Sequence, residues 1–142
     1  MFKTVVVGAD DSSTARQAVV AAAQVARMSG GRLHIVTSYD PRSVRLEDLP
    51  PEFRLTSLHP ADALLNNLSE VAREHGVEPE LHPAASAPAH AVVDVAEQYQ
   101  ADLIVVGNKG MKGVRRVLGS IPNSIAHEAH CSVLIVDTVG AD

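Results

Sequence analysis

Tryptophan is absent, and two tyrosines and two phenylalanines are the whole aromatic complement of 142 residues. A core without large rings has to be filled by Val, Ala, Leu and Ile, which suits a parallel sheet wrapped by alanine-rich helices. The single cysteine, Cys131, excludes an internal disulfide and a cysteine-built metal cluster. It precedes a terminal apolar run and reads as a small core or edge residue. No apolar stretch approaches membrane-spanning length, and the opening MFKTVVVGAD carries too short a run for a signal peptide. A cytoplasmic protein with no membrane partner is therefore expected. Positive charge is in deficit as well: the net charge of −5 argues against a general nucleic-acid binder. The length is that of one domain over residues 1–142, large enough for one continuous core.

What is present is an alternation of two periods. Phe2 to Gly8 is apolar and β-branched, and ends in Gly8-Ala9-Asp10-Asp11-Ser12 where a helix start is expected. Ala15, Ala18, Val19, Ala22, Val25, Ala26 and Ser29 recur at helical spacing, and Gly30-Gly31 stops that helix. Leu33 to Ser38 reads as a second strand. Residues 39–57, with Pro41, Pro50 and Pro51, form the longest irregular stretch, a lid, a binding loop or plain disorder. Ala61 to His75 is a second amphipathic helix closed by Gly76, and Val77 to Pro83 a weaker strand placed at a sheet edge. Ser86-Ala87-Pro88 opens a third helix whose Ala89, Val92, Val93, Ala96 and Tyr99 face inward. Leu103 to Val106 reads as a buried parallel strand, and Val133 to Val136 as the fifth. Strands alternating with helices imply right-handed parallel crossovers. The expected fold is α/β: one Rossmann-like, doubly wound, five-stranded parallel sheet ordered 3-2-1-4-5, with helices on both faces. Such sheets take ligands at the carboxyl ends of the strands flanking the switch point, here strands one and four.

The stretch Gly107 to Ser120, GNKGMKGVRRVLGS, follows one of those two strands. Its glycines let a ligand approach the backbone, and Lys109, Lys112, Arg115 and Arg116 add positive charge. Ser120 stands where a helix N-cap is expected, with Pro122 in the first turn, so the free N–H groups can face an anion. An ordinary solvated turn after a strand is the competing reading. The stretch is neither a Walker A loop nor G-x-G-x-x-G. Gly8-Ala9-Asp10 falls at the neighbouring strand end, and the two segments converge on one expected site. There Asp10 can accept from a ribose hydroxyl, hold a metal ion, or simply cap a helix with Asp11.

These residues resemble the universal stress protein family, and the resemblance runs over essentially the whole chain. It is carried by Gly8-Ala9-Asp10-Asp11-Ser12, by Ala-Asp-Leu-Ile-Val-Val-Gly from Ala101, by the glycine loop, and by Cys131-Ser132-Val133-Leu134-Ile135-Val136. The nucleotide-binding branch carries G-x2-G-x9-G-[S/T]; this chain has Gly107-x2-Gly110 and then eight residues before Gly119-Ser120. Ser86 stands where relatives often have glycine. The resemblance implies a stress-response regulatory domain that binds ATP or a related adenine nucleotide, with or without Mg²⁺, and that pairs as a homodimer. It places Ala9 and Asp10 near the adenosine and Ser38 near the base or ribose. Gly107 and Gly110 then border the ribose and phosphates, while Gly119, Ser120 and Ile121 hold phosphate oxygens. A slow ATPase and a non-binding protein-interaction module of the same fold are the alternatives.

No catalytic residue and no metal ligand set is expected. His127 and His130 are three apart, but the segment His-Glu-Ala-His is one residue short of H-E-x-x-H, and cationic groups suit a helix C-terminus in any case. The other histidines read as scattered. The apolar run Val133 to Val136 at a sheet edge invites pairing with a second copy of the chain.

Overall fold

Two continuous aliphatic runs form the centre of the sheet: Thr4–Gly8 (β1) and Leu103–Gly107 (β4). Val5, Val6, Val7, Ile104 and Val105 are wholly buried, as strands covered on both faces must be. The computed structural model describes residues 1–10, 13–39, 60–108 and 119–138. Among them the remaining elements are α1 (Ser13–Ser29), β2 (Arg32–Ser38), α2 (Pro60–Glu74), β3 (Glu80–Ala84), α3 (Pro88–Gln98), α4 (Ser120–Glu128) and β5 (Ser132–Val136). Every strand pairing is parallel and the order is β3-β2-β1-β4-β5, as the alternation of elements predicts.

Side-chain alternation divides the strands between two cores. Val5, Val7, Leu33, Ile35, Leu103 and Val105 pack under α1 and α2. Val6, Val36, Ile104 and Val106 face α3 and α4 through Val92, Val93, Ala96 and Ile125. The winding is therefore double. The expected face of α1 is borne out by buried Ala15, Ala18, Val19, Ala22 and Ala26, whose small side chains let the helix lie close to the sheet.

The weak strand begins three residues later than its apolar pattern suggests. Gly76 takes a left-handed φ of 81°, and the Val77 N–H bonds back to the Ala72 carbonyl at 3.1 Å. This closes the last turn of α2 in the manner of a helix C-cap. Val77 is buried as part of that cap, and β3 starts only at Glu80. The strand does lie at the sheet edge, where Pro83 removes no ladder bond from an outer neighbour. At the other end of the sheet, the Asp102 carboxylate accepts from the Lys3 and Thr4 N–H groups at 2.9 and 3.0 Å. Burial works to raise its pKa, but these hydrogen bonds outweigh it and hold the carboxyl below its ordinary value.

Tyr99 differs from its expected inward place: it is the C-cap of α3 and 37% exposed. Its ring instead lies over two imidazoles, with centroids 4.4 Å from His34 and 5.1 Å from His82. Burial pushes the pKa of both histidines down. Arg32 adds to this at His34 and His34 itself adds at His82, while Glu80 opposes it at both.

Candidate functional site

At the carboxyl ends of β1 and β4 the sheet opens into a solvent-open cleft with a cavity volume of about 110 Å³. Crossovers from neighbouring strands leave toward opposite faces here, so none of the described helices covers the gap. Gly8, Ala9 and Asp10 line it from the end of β1, Val106 and Gly107 from β4, and Val36 and Ser38 from β2. The N-terminal halves of three helices complete the walls through Thr14 and Ala15, Pro88 and Val92, and Ile121, Pro122 and Ile125. Most of this lining is aliphatic. Asp10, Thr14 and Ser38 supply its polar side chains.

Hydrogen bonds between distant segments hold the rim. The Ala9 N–H donates to the Val36 carbonyl at 3.0 Å, and the Thr37 hydroxyl donates to the Ala9 carbonyl at 3.2 Å. Ser38 donates its hydroxyl to the Ser86 carbonyl, which ties the end of β2 to the turn before α3. Asn108, only 2% exposed, joins the exits of β4 and β5. Its carbonyl oxygen accepts from the Thr138 N–H at 2.8 Å and the Thr138 hydroxyl at 2.7 Å, and its amide donates to Asp137 at 2.9 Å.

Among the described residues, helix ends add backbone electrostatics to the Asp10 carboxylate of the lining. None of α1, α3 and α4 carries an acidic residue in its first turn. Their positive dipole ends therefore face the same cleft without an acidic neighbour from their own first turns. The cap of α4 is Gly119, extended at φ −62° and ψ 163°, and not Ser120 as expected; Ser120 is the first helical residue. The extended cap orients the start of the helix without any side-chain oxygen. The helical ladder supplies no partner to the N–H groups of Ser120 and Ile121, since the residues four earlier precede the helix.

Of the residues singled out in the sequence, Ala9, Asp10, Ser38, Gly107 and Ile121 line the cleft together. Gly119 and Ser120 stand immediately before Ile121 at the α4 terminus but are not among the lining residues. Gly110 lies outside the described residues, as do Lys109, Lys112, Gly113, Arg115 and Arg116. Sequence reasoning missed the apolar walls, Val36, Pro88, Val92 and Ile125 among them, because a wall residue looks like any other core position. It also missed Asn108, whose partners are about thirty residues away along the chain.

Comparison with known proteins agrees with this geometry. The family model described as "Universal stress protein family" matches residues 1–137. The universal stress protein Rv1636 of Mycobacterium tuberculosis is 36% identical over 143 aligned positions, covering 96% of this chain and 97% of that protein. A putative universal stress protein of Staphylococcus aureus is 33% identical, covering 96% of this chain and 85% of its own length. Among solved structures, a universal stress protein in complex with cAMP superposes with a TM-score of 0.78 at 35% identity, covering 96% of this chain and 98% of the other. A universal stress protein from Archaeoglobus fulgidus in complex with dAMP shares the fold with a TM-score of 0.71 at 23% identity, covering 94% and 97%. Strand order, cleft and family model coincide over nearly the full length, and the chain belongs to the universal stress protein family.

Proposed function

We propose that this protein is an adenine-nucleotide-binding regulator of the stress response, with ATP or a related adenine nucleotide held in the cleft between β1 and β4. The observation that carries the reading is the convergence on one cleft of two strand ends and three helix N-termini lacking acidic residues in their first turns. The aliphatic walls of the cleft suit a base, and the α4 terminus suits phosphate oxygens. A family member 35% identical to this chain has been solved with cAMP, an adenine nucleotide, which supports the same class of ligand. In this reading Ala9 and Asp10 neighbour the adenosine, Ser38 the base or ribose, and Gly107 and Gly110 the ribose and phosphates. Gly119, Ser120 and Ile121 hold phosphate oxygens. Asp10 is the carboxylate lining the cleft and the residue that a Mg²⁺ ion accompanying the phosphates would use.

Nucleotide-dependent change of partner or oligomer, rather than turnover, is the proposed output. Among the described residues, the cleft lining contains no histidine, lysine or cysteine. A homodimer through β5 belongs to the same proposal. Among the described strands, β5 pairs with β4 alone, and its Leu134 is 39% exposed. A cytoplasmic location completes it, since adenine nucleotides are abundant there.

The test is thermal stabilisation and calorimetry with ATP, cAMP and GTP. Adenine nucleotides should stabilise the wild type, and Gly119→Val should abolish the effect without unfolding the protein. Valine is compatible with the backbone angles at Gly119, so the loss would report crowding at the phosphate end. Unchanged affinity in folded Gly119→Val protein, or no response of the wild type to any adenine nucleotide, would refute the reading.

A further inference from the structure

A second cluster of polar side chains lies away from the nucleotide cleft, on the α3 side of the β2–β3 edge. The parallel register pairs His34 with Glu80 and Val36 with His82, so the three polar side chains project from neighbouring positions on one face. His34 Nδ1 stands 2.9 Å from His82 Nε2 and 3.6 Å from Glu80 Oε2. One donor atom from each residue falls within 4.8 Å of the others. Tyr99 packs its ring on both imidazoles and holds them in place. The residues lie on two neighbouring strands, β2 and β3, and their ligand atoms converge on one point.

We propose that His34 Nδ1, His82 Nε2 and a Glu80 carboxylate oxygen form a binding site for a zinc-type divalent metal ion. Two Zn–N bonds of about 2.0–2.1 Å at the tetrahedral angle need nitrogens about 3.3 Å apart. The observed 2.9 Å reaches that separation by a small side-chain adjustment, and the Glu80 distance already suits it. In the metal-free pair one nitrogen must carry the proton shared with the other. On metal binding that proton moves to the other nitrogen of the same ring, leaving both facing nitrogens as lone-pair donors. Two imidazoles and one carboxylate form a borderline donor set with a single negative charge, which favours zinc-like ions over Mg²⁺ or Ca²⁺. His34 is 2% exposed, whereas the Glu80 side chain is 51% exposed, so the ion would be anchored in the protein and open to solvent at its fourth position. The site would tie the edge strand β3 to β2 beneath the end of α3. The opposite end of the same helix, at Pro88 and Val92, lines the nucleotide cleft.

The experiment titrates Zn²⁺ into the chelator-stripped full chain against a chromophoric competitor, and repeats the titration with Co²⁺ while recording visible absorption. The expected result is one ion per chain, intense tetrahedral-type Co²⁺ bands, and a rise in Tm of roughly 5 °C at saturating Zn²⁺. Glu80→Gln and His82→Gln should each weaken binding at least about tenfold, by analogy with the loss from even outer-shell partners of metal ligands. Glutamine at position 82 can still hydrogen-bond His34, and Glu80 is exposed, so both variants should fold; circular dichroism checks this. Surface histidines provide the contrast: His90 sits 3.1 Å from Asp94 and His130 3.3 Å from Glu97, all on exposed side chains. The double variant His90→Ala/His130→Ala should bind Zn²⁺ as the wild type does. Absence of stoichiometric binding would overturn the proposal. So would binding that survives Glu80→Gln and His82→Gln, or that disappears with His90 and His130.

Discussion

Gly8 ends β1 at the floor of the cleft, and a methyl group added there would meet Val92 of α3. A Cβ built on Gly8 lies 2.6 Å from Val92 Cγ2. Carbon atoms prefer roughly 3.5–4.0 Å, so the overlap is about 1 Å. Val92 is 3% exposed, and a β-branched side chain in a helix has one strongly preferred rotamer, so it cannot simply turn away. The strain has to pass into α3 or the sheet. Overpacking of this kind costs about 1–3 kcal/mol. For a chain of this length that lowers Tm by roughly 3–10 °C. Val92→Ala alone should also destabilise, by about 1.5–3 kcal/mol, through lost burial and the cavity left behind. The decisive variant combines the two. Gly8 has no positive φ, so once Cγ2 is gone alanine fits, and fewer unfolded conformations should make Gly8→Ala neutral or stabilising by about 0.4–1 kcal/mol. Urea and thermal denaturation of the four proteins in the cycle should give a favourable coupling of at least about 1 kcal/mol. Equal costs of Gly8→Ala in both backgrounds would refute the claim that α3 leans on the end of β1 to shape the cleft.

Wild-type protein should sediment as a dimer at tens of micromolar (roughly, for a micromolar-affinity contact), and Leu134→Lys should sediment as a monomer. Leu134 is the cleaner probe, because Ile135 packs against the core; a monomeric wild type would remove the β5 pairing. ATP should be bound without rapid turnover, and hydrolysis at about 1 s⁻¹ or faster that is lost in Asp10→Asn would contradict this. Asp102→Asn should lower Tm by roughly 2–4 °C at neutral pH by weakening the hydrogen bonds from Lys3 and Thr4. The folded-state pKa of Asp102 lies below its ordinary value of 3.8, so its contribution is complete above that value and fades as pH falls through the folded one. The gap between wild type and Asp102→Asn should therefore close in acid, and a gap that widens there would count against it.

The architecture was legible in the chain because it rests on local signals. The β-branched runs of β1 and β4, the small-residue face of α1 and the glycines at 30 and 76 each reflect a period or a turn within a few residues. Alternation of strand and helix with right-handed crossovers then leaves few topologies, and the expected doubly wound order is the one observed. Five residues singled out by the sequence and its family resemblance, Ala9, Asp10, Ser38, Gly107 and Ile121, line one cleft. Tertiary structure alone decided the boundaries that depend on backbone partners: Val77 belongs to the cap of α2, and Gly119 rather than Ser120 caps α4. It also decided which side chains meet across the sheet. Asn108 finds Asp137 and Thr138, and His34 finds Glu80 and His82, through strand registers that bring positions tens of residues apart within hydrogen-bond distance. A parallel register is set by the packing of whole helices against the sheet, so no short window of sequence contains it.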